Sequence, residues 1–224
     1  MAKDAAGQGD RGHRDGVRAT LPLSVAVFGF GISFGVLARA AGMGSVAPVV
    51  MSATTFAGSA QFAAVSVLNA GGSVATAVVA AVLLNARYAP IGVSVAPSLH
   101  GPWWSRFLRA QLVVVESWAI ASEGDGRFNP RVLVSAGLTL YVAWVSGTIL
   151  GSLFGDAIGD PARLGLDAAF PALFLALLVP QLTSTRAKEA AVLGAAIALA
   201  LTPFTPPGVP IIAASAACLI GWRR

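Results

Sequence analysis

The sequence predicts an all-α integral membrane protein, a polytopic bundle of about seven to eight helical segments. Three observations predict it. Only 11% of the 224 residues are Asp, Glu, Lys or Arg, whereas a soluble domain carries about a quarter, so the chain cannot dress a globular surface for water. Hydrophobic residues make up 56% and the mean hydropathy is +0.75, which makes lipid the solvent for most of the exterior. The basic residues collect at the ends of apolar stretches: Arg11, Arg14 and Arg18, then Arg106 and Arg109, then Arg186 and Lys188, then Arg223 and Arg224. That placement anchors and orients spans in a membrane. It does not build the basic face that a nucleic-acid partner needs, despite a net charge of +5.

Residues 1–19 read as a polar, disordered cytoplasmic tail, and residues 20–224 as one transmembrane domain. The first span, 20–41, is too long for a signal-peptide core and lacks a cleavage region. Its Gly31 and Gly35 fall four apart on one face, as do Gly147, Gly151 and Gly155 in the span 132–155. Lipid offers no hydrophobic drive between helices, so such small residues pack backbones closely. The second span, 46–70, places Thr54, Gly58 and Gln61 on one face by helical spacing, beside a stripe of Ser52, Thr55, Ser59 and Ser66. An amide in hydrocarbon is costly unless bonded, so Gln61 is either interhelical glue or part of a site. The pair Gly58-Ser59 is a place for the helix to loosen.

The third span, 73–99, contains Asn85-Ala86-Arg87-Tyr88-Ala89-Pro90. Arg87 is the only Asp, Glu, Lys or Arg between Arg39 and Arg106. A charge inside a span is expensive and by default functional, although snorkelling to an interface is the alternative. Pro90 lacks an N–H and frees a carbonyl one turn back. A weaker span, 104–121, carries Glu116 among valines, where a carboxylate needs a cation or a proton. The spans 132–155 and 166–183 follow, then a broken pair, 189–203 and 208–222. The interruptions Phe170-Pro171 and Pro203-Phe204-Thr205-Pro206 occupy places matching the interrupted regions of the first half, and an offset of Gly31 onto Gly147, Gly35 onto Gly151, Pro90 onto Pro206 and Gly92 onto Gly208 suggests a repeat of 20–100 in 132–222. Proline-broken segments in corresponding halves point to a transport site. The basic loop at 184–189 and both termini are then cytoplasmic, and the loop 156–163, with Asp156 and Asp160 against Arg163, is outside.

No enzymatic constellation is expected, and no cofactor or metal. His13 and His100 have no ligand spacing around them, no phosphate-binding loop is present, and one cysteine, Cys218, excludes an internal disulfide. Intramembrane proteolysis lacks its paired Asp or Ser and His residues at depth. A non-catalytic or channel-like subunit, with transport residing in a partner, is the competing reading.

Phe56-Ala57-Gly58-Ser59-Ala60-Gln61-Phe62-Ala63-Ala64, then Asn85-Ala86-Arg87-Tyr88, then Glu116, together with Leu21-Pro22 leading into Phe34-Gly35-Val36-Leu37-Ala38, resemble the AzlC family over about residues 20 to 220. The resemblance implies the large subunit of an exporter of branched-chain amino acids in the bacterial cytoplasmic membrane, working with a small hydrophobic AzlD-like subunit. Gln61, Asn85, Arg87 and Glu116 match positions of the family's pattern; on the reading of the residues themselves, Gly58, Ser59, Gln61, Asn85 and Arg87 are expected at substrate, with Glu116 as a proton carrier or ion-pair partner and with helix breaks at Pro90, Pro171, Pro203 and Pro206 near the site. Tyr88 stands where the family commonly has His, and Val115 where it has Asp, so a proton relay through those positions is not implied here.

Overall fold

A computed structural model describes residues 2–124, 126–158, 175, 178–179, 182–206 and 208–217. Pro171, Cys218 and most of the predicted span 166–183 lie outside the described residues. Two long helices form the axis of the fold, α1 (Ala2–Ala40) and α8 (Pro130–Ile158). Residues 12–40 and 130–155 are each long and apolar enough to cross a membrane. The glycines predicted to pack helices do so against each other. A Cβ on Gly31 would stand 2.6 Å from the Trp144 carbonyl oxygen, and one on Gly35 2.6 Å from that of Thr148. Conversely, Gly147 and Gly151 meet the carbonyls of Phe28 and Ile32. Backbone touches backbone along the seam, which only a residue without a side chain permits.

The same seam corrects the expectation of a disordered tail. Helix α1 continues back to Ala2. Gly16 lies on Val132 and Ser135 of α8, and Thr20 is fully buried with its hydroxyl bonded to the Gly16 carbonyl at 2.8 Å. Polar composition hid a stretch whose small residues extend the helix contact.

The second predicted span is not one helix. It divides into α2 (Val46–Thr55) and α3 (Gly58–Asn69). Phe56 adopts a left-handed conformation at φ 43, and Ala57 is non-helical at φ −139 and ψ 82. For a phenylalanine that conformation is strained by roughly 1–3 kcal/mol, and its buried ring, edge-on to Tyr141 at 5.1 Å, helps hold it there. The helical spacing that put Thr54, Gly58 and Gln61 on one face therefore fails: Thr54 is exposed and bonds back to Val50, while Gln61 is buried. The carbonyls released at the end of α2 are recaptured, that of Ala53 by the Tyr141 hydroxyl at 2.9 Å and that of Thr54 by the Gln111 amide at 2.6 Å.

The third span is bent by 44° between α4 (Val74–Asn85) and α5 (Tyr88–Val95), which runs on into a 3-10 turn at Ala96–Ser98. Pro90 accounts for the break by its missing N–H and its clash with the carbonyl one turn back. The carbonyl of Ala86 is taken instead by the N–H of Ala89 at 3.1 Å, so this oxygen is not left free as the sequence suggested. The weaker span 104–121 does not form. Its residues make two short helices, α6 (Trp103–Ala110) and α7 (Val115–Ala121), because Arg106 and Arg109 give α6 a charged face. A two-stranded hairpin, β1 (Ser122–Gly124) with β2 (Arg127–Phe128), leads into α8. Helices α9 (Thr185–Leu201) and α10 (Val209–Ala214) complete the described chain.

The main core gathers Phe34 of α1, Phe62 and Val65 of α3, Val114, and Leu140 and Trp144 of α8. It lies against the α2–α3 break.

Candidate functional site

A cavity of about 210 Å³ opens beside that break. Five parts of the fold meet there. The first turn of α3 contributes Gly58 and Ser59, the α4–α5 bend contributes Arg87 and Tyr88, the first turn of α7 contributes Val115 and Glu116, and α1 and α8 contribute apolar walls that include Phe30 and Trp144. Nη2 of Arg87 donates to the Ser59 hydroxyl at 2.7 Å, and the guanidinium carbon sits 5.2 Å from the centre of the Tyr88 ring. Such stacking favours a partly desolvated cation. Its Nε is buried with no acceptor.

Such an arrangement can receive an anion beside an acid. N–H groups in the first turn of α3 have no carbonyl ahead of them in the helix, and the helix dipole adds partial positive charge there. Arg87 adds a full one. Glu116 lines the same cavity, and among the described residues no ion pair joins it to Arg87. The two charges are thus both available to a ligand that carries one of each.

Gln61 is placed elsewhere. It is fully buried behind Trp144 and does not line the cavity. Its Oε1 accepts from the Ala57 N–H at 3.2 Å, which caps the α2–α3 break, and from the Trp144 indole N–H at 3.0 Å. Its Nε2 donates to the Ser52 hydroxyl at 2.8 Å. Ser52 also receives the Trp144 N–H at 3.1 Å and lies 2.9 Å from Thr148 Oγ1. Thr148 gives its one proton to the Trp144 carbonyl at 2.9 Å, so Ser52 donates to Thr148 and its two lone pairs take Gln61 and Trp144. Every hydroxyl valence at Ser52 is used.

Asn85 ends α4 beside Arg87, with its Oδ1 buried and unpartnered, but it is not among the cavity-lining residues. Pro90 is exposed on α5. Pro203 and Pro206 are exposed between α9 and α10, where the turn packs Gly208 against Val67 and Thr76, and neither proline lines the cavity. Trp144 was missed from sequence. The available signal was an indole N–H in an apolar helix, which needs an acceptor when buried. Among the described residues no cluster of His, Cys, Asp or Glu could hold a metal.

Comparison with known proteins adds the family. The family described as AzlC protein matches residues 22–158, which contain every residue of the cavity. The chain belongs to the AzlC family. This AzlC-family chain is 33% identical to an uncharacterized membrane protein of Archaeoglobus fulgidus, over 93% of its own length and 94% of the relative's. It is 25% identical to the branched-chain amino acid transport protein AzlC of Bacillus subtilis, over 82% and 74% of the two chains. It is also 25% identical to the inner membrane protein YgaZ of Escherichia coli, over 88% and 83%. No solved structure matches it significantly. With its apolar helices and these relatives, the AzlC-family chain is a largely helical membrane protein.

Proposed function

We propose that the protein is a secondary transporter that exports small apolar amino acids, branched-chain ones among them, across a bacterial cytoplasmic membrane. The single observation that carries the reading is the shared cavity of Arg87, Ser59 and Glu116, walled by Leu23, Val27, Phe30 and Leu140. A zwitterion with an aliphatic side chain matches these three features at once. Its carboxylate meets the Arg87 guanidinium, whose fork suits a planar anion, together with the first turn of α3. Its ammonium meets Glu116, and its side chain meets the apolar wall. Gln61 supports the site from behind through Trp144. The name carried by the Bacillus subtilis relative agrees with this substrate class.

Export rather than uptake, and a small AzlD-like subunit as partner, belong to the same proposal. So do cytoplasmic termini and a structural repeat that relates α1 to α8, for which the facing glycines of those two helices argue.

Proteoliposomes holding the chain alone, or with its small partner, are loaded with unlabelled leucine and offered labelled leucine. Counterflow that saturates and is competed by valine and isoleucine, but not by leucinamide, supports the proposal. Absence of counterflow in both preparations contradicts it. Counterflow in a preparation of the partner alone would make this chain the non-catalytic subunit.

A further inference from the structure

We infer that Trp144 is the specificity-determining residue of this cavity, and that Gln61 is a positioning residue that fixes the indole. The inference rests on the transport reading above and adds what decides which side chains fit.

The indole is 5% exposed and reaches the cavity from α8. Its six-membered ring presses on Gly58: a Cβ there would lie 3.0 Å from Cη2 and 3.2 Å from Cζ3. Gly58 immediately precedes Ser59, which holds Arg87. The indole edge therefore closes the cavity next to the anion-binding end, where the first carbons of a bound side chain would come. Every other edge of the ring is held. Phe34 stacks on it at 5.9 Å and 25°, and Phe62 meets it edge-on at 6.1 Å. Its N–H is shared between Ser52 and Gln61, and Gln61 is in turn tied to the Ala57 N–H at the α2–α3 break. A wall that cannot rotate away discriminates by size, because a close-packed surround has no room to take up a larger ligand.

Gln61 accordingly influences the ligand through Trp144, without touching it. Two consequences distinguish this from a purely structural role. Loosening the indole should admit larger side chains, and tightening the contact at Gly58 should exclude them.

The test is labelled-leucine counterflow in proteoliposomes containing the full chain and its partner, competed with phenylalanine and with alanine. Wild type is expected to favour leucine over phenylalanine. Trp144→Phe, which removes part of the wall and its N–H, should raise the phenylalanine-to-leucine ratio about tenfold, the size of effect that one or two methylenes exert in an apolar pocket. Gln61→Leu should shift the ratio in the same direction. Gly58→Ala should shift it the other way and favour alanine over leucine. If Trp144→Phe fails to reach the membrane, Gly58→Ala and Gln61→Leu still decide. Ratios that stay within about twofold of wild type in the variants that transport would overturn the inference while leaving the transport reading intact. A wild-type protein that moves no leucine would overturn the transport reading, and this inference with it.

Discussion

Arg87 donates to the hydroxyl of Ser59 at 2.7 Å, across 28 positions of sequence. The bond joins two helix breaks, the α4–α5 bend and the start of α3, at the point where both face one cavity. Each break satisfies its own backbone groups within the protein, through Tyr141, Gln111 and Gln61 at the α2–α3 break and the Ala89 N–H at the bend, as hydrocarbon surroundings require. Together they form a polar recess between otherwise lipid-compatible helices.

Ser59→Ala should raise the KM for leucine about tenfold with little change in maximal rate, since a hydrogen bond to a charged group is worth about 1.5–3 kcal/mol and here it aims the guanidinium. Ser59→Thr retains the hydroxyl and should restore most of the affinity. Initial-rate counterflow at varied leucine concentration measures both.

Glu116→Gln should cost leucine its advantage over 4-methylpentanoate, the same aliphatic acid without the ammonium group. The amide keeps the shape of the carboxylate and removes its charge. Competition by the two ligands against labelled leucine gives the ratio, and an unchanged ratio would place the ammonium elsewhere.

Ser52→Ala should destabilise the fold. Ser52 is fully buried and takes donors from Gln61 and Trp144, so its loss leaves buried N–H groups short of an acceptor at about 1–3 kcal/mol. A fall of about 2–12 °C in the thermal midpoint of the detergent-solubilised protein is expected, taking about 2–4 °C per kcal/mol for a chain of this size.

Gly35→Leu and Gly151→Val should prevent assembly altogether. Both positions meet backbone of the facing helix, and no side-chain rotamer can relieve a clash with backbone. Size-exclusion of a fluorescently tagged protein should show aggregate where wild type shows one peak.

The sequence made some of this legible and hid the rest for identifiable reasons. Glycines four apart announced the α1–α8 seam, because helical spacing survives wherever the helix does. Arg87 announced itself as a lone charge between Arg39 and Arg106, and Glu116 as a carboxylate among valines. The grouping of Thr54 with Gln61 failed because it assumed an unbroken helix through Phe56, and a left-handed phenylalanine has no sequence signature of the kind glycine has. The span expected at 104–121 dissolved into α6 and α7, since an amphipathic stretch with Trp103, Arg106 and Arg109 passes a hydropathy window without being apolar on every side. Trp144 could not be placed from sequence, since its role depends on Gly58, Ser52 and Gln61, which lie more than 80 positions away.

The most direct measurement is leucine counterflow by Arg87→Ala in proteoliposomes, normalised to the amount of folded protein in the membrane. The account predicts that counterflow falls to the background of empty liposomes while the protein inserts and elutes as wild type does, and that Arg87→Lys recovers only a minor part because a point charge cannot fork onto a carboxylate. Counterflow by Arg87→Ala at the wild-type rate would contradict it.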